Sequence, residues 1–158
     1  MSVLVVRHEL SEANDKNSAA FGQAHARLLT LGIERIPVIR DNLINVYGVT
    51  IEDTDAAASD MSRTQETATL VGFTSVRNYS ILNEVDVPKT PELRAQLDSE
   101  IIVPEAFEAA EAVLATPPAE QVWFTHGYLI AALCHATGVD TSGMRFIPRF
   151  GEIRELPI

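Results

Sequence analysis

Ser2-Val3-Leu4-Val5-Val6 runs directly into Arg7-His8. An uncharged, β-branched run of this length suits a strand buried on both faces, not the alternating pattern of a sheet edge. The abrupt change to two polar, titratable residues marks its carboxyl end. The same order recurs further along. Asp55-Ala56-Ala57-Ala58-Ser59 is a short strand candidate, followed by a polar turn and a helical stretch from about Ser62 to Leu70. Gln121-Val122-Trp123-Phe124-Thr125 runs into His126-Gly127 and then a helix from about Tyr128 to Thr137, with Gly138 as its stop. Strands alternating with helices predict an α/β protein of three layers, with a mostly parallel central sheet and helices on both faces.

Apolar residues at helical spacing predict two more helices, over about Ser18–Leu31 and Ile33–Val46, separated at Gly32 and with Pro37 near the first turn of the second. Ser75–Asn78 reads as extended, and Gly151–Leu156 as an edge strand. Ile81 to Pro88 has no helical period and reads as loop with some strand. Pro104–Ala115 reads as a helix with Phe107, Ala110, Val113 and Leu114 on its apolar face and Glu105, Glu108 and Glu111 in solvent. There is no repeat, linker or low-complexity tract, and 158 residues that are 46% apolar suit one domain over residues 1–158.

A net charge of −10 argues against nucleic acid or an acidic membrane as partner. No segment has the apolar length of a membrane span or signal peptide, so the expectation is a soluble cytoplasmic protein. Oligomeric state is not legible. Cys134 is the single cysteine, so no internal disulfide can form, and it reads as a small buried hydrophobe. His25 and His135 fall in predicted helices as structural or solvent-facing residues. With no zinc-type spacing and no Gly-x-x-x-x-Gly-Lys loop, neither a metal nor a cofactor is expected. Open α/β sheets bind ligands beyond the carboxyl ends of their strands. That rule singles out Arg7-His8, Ser59 to Arg63 and Thr125-His126-Gly127.

These segments resemble the histidine phosphatase superfamily, which includes the cofactor-dependent phosphoglycerate mutases and many small phosphatases. Arg7-His8-Glu9-Leu10-Ser11-Glu12-Ala13-Asn14 is similar to its opening signature Arg-His-Gly-Glu-Ser-Glu-x-Asn, departing at the third and fourth places. Ser59 to Ala68 resembles Ser-x-Leu-x-Arg-Ala-x-Gln-Thr-Ala, keeping Ser59, Arg63, Thr67 and Ala68, with Gln65 one place early. Leu82-Asn83-Glu84 resembles the stretch carrying the family's acid, and Phe124-Thr125-His126-Gly127 its late Ser/Thr-His-Gly. The four matches fall in the family's order.

The resemblance implies that His8 is the nucleophile of a phosphomonoester hydrolase and becomes transiently phosphorylated. It implies that Arg7 and Arg63 hold the phosphoryl oxygens, that His126 completes the pocket, and that Asn14 helps to orient the group. A neutral imidazole is a good nucleophile near pH 7, and guanidinium forks suit the charge on the transferred group. Nearby arginines should lower the pKa of His8. Glu84 is the candidate acid for the leaving alkoxide, with Asp86 the alternative if the segment is extended. The expected partner is a small phosphorylated substrate or a phosphoprotein. A mutase is disfavoured by the short span from Asp86 to Pro104, and a protein phosphohistidine phosphatase by the presence of an acid.

Glu9, where the family has glycine, supports a reading from another class, a non-catalytic or regulatory phosphate-binding domain. A carboxylate ~5 Å from a phosphate charge at a dielectric near 20 costs roughly 3 kcal/mol per charge. The expectation is that Glu9 turns outward or pairs with a cation such as Arg63.

Overall fold

The computed structural model describes residues 2–158. Strands β1 (Ser2–Arg7), β2 (Ala56–Ala58), β3 (Val76–Asn78), β4 (Val122–Thr125) and β5 (Ile153–Pro157) form one sheet in the order β3-β2-β4-β1-β5. The first four run parallel to one another, and β5 lies antiparallel on β1 as an edge. Ala56–Ala58 are fully buried. Alanine has little strand preference of its own, so β2 is held by its place between β3 and β4.

Successive residues along a strand face opposite layers, which sorts the core into two. Val3, Val5, Ala57 and Trp123 pack with α4 (Pro104–Ala115) and α5 (Gly127–Ala136). Leu4, Val6, Ala58 and Phe124 pack with α1 (Thr30–Asn45) and α2 (Ser62–Val71). The expected three layers are therefore present. Trp123 and Phe124 are adjacent and both wholly buried, one in each layer, and each large apolar side chain so placed stabilises by about 2–3 kcal/mol.

Several local readings need correction. Residues 18–29 form turns instead of a helix, and one helix, α1, begins at Thr30 and passes through Gly32 without a break. Gly32 is there for contact: a Cβ at this position would collide with the carbonyl oxygen of Leu10. Pro37 consequently lies inside α1, not in a first turn. His25 is exposed in a turn. On α4, Ala106 is buried in the core while Phe107 is exposed. The 81–88 segment forms no strand, and a further helix, α3 (Pro91–Asp98), follows it, capped by the Thr90 side chain. Among the described residues no helix is long and apolar enough to cross a membrane.

Candidate active site

The carboxyl ends of β1, β2 and β4 converge because these strands are neighbours in the sheet. His8 follows β1, Arg63 stands in the first turn of α2 after β2, and His126 precedes α5 after β4. The two histidine rings are 5.1 Å apart in an edge-on arrangement, and Arg63 reaches both. Its Nε donates to His8 Nε2 at 3.3 Å, and its Nη2 lies 3.5 Å from His126 Nδ1.

Hydrogen-bond partners define the tautomers. His8 Nδ1 is 2.7 Å from the Glu9 carbonyl oxygen, which can only accept, so Nδ1 carries the proton and Nε2 presents its lone pair toward Arg63. His126 Nε2 donates to Ser59 Oγ at 2.8 Å, and that hydroxyl donates to Thr64 Oγ1 at 2.8 Å. Thr64 in turn donates to the Met61 carbonyl oxygen, also at 2.8 Å. His126 Nδ1 is thereby left as the acceptor facing Arg63.

Both histidines are almost wholly enclosed, at 2% and 1% exposure. Burial, aided by the charges of Arg63 and Arg7, lowers the His8 pKa to about 3 against a raising hydrogen bond from the Glu9 backbone. The direction matches the expectation, but the main cause is burial and not the arginines. His126 is likewise held well below its ordinary value, chiefly by burial and then by His8, Arg63 and Arg7. Both rings are neutral at pH 7.

Arg7 extends past Gly127, where a Cβ would come within 3.0 Å of the guanidinium carbon, so glycine is required for this passage. Its guanidinium lies 3.9 Å over the Phe150 ring, and Nη1 donates to the Pro148 carbonyl at 2.6 Å. Nε is buried without a partner. Burial lowers the Arg7 pKa to about 10, with the Glu84 charge opposing the shift. The side chain remains a cation at neutral pH.

Glu84 is fastened to the start of α5. Its Oε2 accepts from Tyr128 N–H at 3.1 Å, and its Oε1 from Leu129 N–H at 3.0 Å and Val85 N–H at 2.9 Å. The Tyr128 and Leu129 amides belong to the first turn of α5, where N–H groups have no partner within the helix, and the Val85 amide is that of the next residue in the chain. The preceding residues anchor the segment: Thr125 donates to the Leu82 carbonyl at 2.6 Å, and Asp60 N–H donates to Asn83 Oδ1 at 2.9 Å. Asp86 is exposed. Asn14 is exposed as well, and its Oδ1 accepts from the Ser11 backbone and hydroxyl at 3.2 and 2.9 Å. The structure thus gathers His8, Arg63 and His126 in contact, with Arg7 and Glu84 beside them, while Asn14 bonds to Ser11.

Glu9 is paired, but not with Arg63. Arg35 of α1 grips it with two nitrogens, Nε to Oε2 at 2.8 Å and Nη2 to Oε1 at 3.2 Å. Arg35 and Phe150 escaped the sequence reading. The unusual acid at position 9 demanded a cation, but nothing in local spacing points 26 residues ahead to Arg35.

No protein-family model matches the chain, and no curated protein matches it in sequence. Solved structures match it in fold over nearly its whole length. A candidate alpha-ribazole-5'-P phosphatase from Escherichia coli superposes with a TM-score of 0.66 at 18% identity, covering 100% of this chain and 91% of that one. A phosphoglycerate mutase from Bacillus anthracis gives 0.63 at 18% identity over 98% and 87%. A Mycobacterium tuberculosis protein gives 0.62 at 16% identity over 99% and 91%. The chain shares the fold of these solved structures, a phosphoglycerate mutase among them.

Proposed function

We propose that this protein is a cytoplasmic, metal-independent phosphomonoester hydrolase in which His8 carries the phosphoryl group. The observation that carries the reading is the His8 Nε2 lone pair, set opposite the Arg63 guanidinium with His126 alongside. In the first step Nε2 attacks phosphorus and the ester P–O bond breaks, with Glu84 passing a proton to the departing oxygen. Arg7 and Arg63 hold the negative charge on the transferred group, displacing the Arg63 contact with His8. In the second step water attacks the phosphohistidine and gives its proton to Glu84. Phosphate leaves and His8 is restored.

Hydrolysis is preferred to mutase transfer because the short stretch from Asp86 to Pro104 carries only α3, little cover for retaining a phosphoryl group. The substrate is a small phosphate ester or a phosphoprotein, with neither nucleic acid nor membrane as partner. The non-catalytic reading depends on the charge of Glu9, and the Arg35 pair neutralises that charge. Brief incubation of the wild type with phosphate esters in the presence of a chelator should give turnover and an acid-labile, base-stable label on His8. His8→Ala should abolish both. Label on a serine, or full activity in the variant, would end the proposal.

A further inference from the structure

Four of the chain's twelve Lys and Arg residues line one cavity of about 390 Å³: Arg7, Arg35, Arg145 and Arg149. In a protein of net charge −10, such a gathering opposes the average field and creates a local site for anions. Glu9 also lines the cavity, but both its oxygens are closed by Arg35. Three cations are left over. The side chains of Arg145 and Arg149 are in no ion pair among the described residues, and Arg7 Nε is buried and unpartnered.

The loop that presents Arg145 and Arg149 is fixed from beneath. Arg154, 3% exposed, donates to the Arg145 and Phe146 carbonyl oxygens and to Glu152 Oε1. The other oxygen of Glu152 accepts the Arg149 N–H at 2.7 Å, so this nearby carboxylate is occupied too. Gly151, at φ +75°, turns the chain and donates its N–H to the Arg7 carbonyl at 3.0 Å. Val38, Ile39, Ile147 and Phe150 supply apolar walls, which strengthen an ion contact by excluding water.

The cavity adjoins the proposed catalytic centre. Arg7 belongs to both, and the Phe150 ring that supports it is 5.8 Å from the His8 ring. Resting on the hydrolase reading above, we propose that this cavity receives a second acid group of the substrate. The preferred esters therefore carry a further carboxylate or phosphate on the leaving-group side. Guanidinium pairs suit such oxyanions because their planar forks bind two oxygens at once.

The test compares phosphorylated ω-hydroxy carboxylic acids of increasing length with alkyl phosphates of the same length. At one or more lengths the acid should show about tenfold higher kcat/KM than its alkyl counterpart, mainly through KM. In an Arg145→Ala/Arg149→Ala variant that ratio should fall to near one. No advantage at any length, or an advantage that survives in the variant, overturns the proposal. If the wild type hydrolyses no ester, the catalytic reading fails by itself, and calorimetric titration of tricarballylate into His8→Ala protein decides the cavity. Binding that disappears when Arg145→Ala and Arg149→Ala are added supports an anion site, and no binding, or binding that persists, refutes it.

Discussion

Glu9 and Glu84 both act on the charge of Arg7, yet the α1 side and the α5 side of the centre hold their carboxylates by different means. On the α1 side, Glu9 is 1% exposed and gripped by a guanidinium through both oxygens. On the α5 side, Glu84 is half-buried, and its oxygens receive only backbone N–H groups. A guanidinium is a permanent cation, so it cancels the Glu9 charge and keeps that carboxylate out of proton traffic. Amides orient a carboxyl group without adding a full charge. The difference teaches how an acidic residue can lie next to the proposed catalytic centre in two ways, one paired with a cation and one held by amides alone.

The largest expected effect breaks the α5 side. Glu84→Gln should slow hydrolysis of alkyl phosphates by roughly 10²–10⁴-fold, the range of general acid catalysis. Aryl phosphates with good leaving groups should lose far less. Equal losses on both substrate types would remove Glu84 from the acid role, and an unaffected variant would direct attention to Asp86.

Between the two sides, His8 and His126 make the centre acid-sensitive. An unfolded histidine takes up a proton near pH 6.5, whereas buried His8 does so only near pH 3 and His126 is lowered as well. Protons therefore favour the unfolded chain. Stability is fully present above about pH 6.5 and falls below it, by roughly 2 kcal/mol for His8 between pH 7 and pH 5, with a loss of the same sign from His126. Urea unfolding across this range should show it, with a shallower slope in His8→Ala. A flat profile would mean that both rings charge freely in the folded state.

A smaller effect probes the α1 side. Arg35→Ala leaves the buried Glu9 carboxylate without its partner, and should cost roughly 2–3 kcal/mol, less than a fully buried pair because Arg35 is 43% exposed. Burial already raises the Glu9 pKa, with Arg35 opposing it, so losing Arg35 raises it further. The deficit should be greatest near pH 8 and shrink toward pH 4 as Glu9 takes up a proton. Glu9→Gly in the wild-type background should change turnover only slightly, and a marked gain would show that the pair fails to silence Glu9.

Legibility followed burial. β1 and β4 are read easily because they are enclosed on both faces and consist of continuous apolar runs. The sites after them follow from strand, turn and helix in succession, which brought out His8, Arg63 and His126. α1 was divided wrongly because a glycine that serves a contact with Leu10 looks, in sequence, like a glycine that ends a helix. α3 has no fully buried residue, and its one apolar pair at helical spacing, Leu93 and Leu97, is too short a pattern to stand out beside the Thr90-Pro91 cap. Helical spacing puts Phe107 on the apolar face with Ala110 and Val113, but the close packing of α4 on α5 buries Ala106 and leaves Phe107 exposed. Arg35, Arg145 and Arg149 gained their meaning only from tertiary approach.

The sheet's two outer strands have a consequence for how the molecule behaves among copies of itself. Exposed strand edges invite pairing with another chain, and proteins blunt them with short strands, charges and proline. β3 is only three residues long and carries exposed Arg77 and Asn78, while β5 carries Arg154, Glu155 and Pro157. Neither rim offers a long, flat, apolar ladder. Edge-to-edge pairing of strands is discouraged at both ends of the sheet.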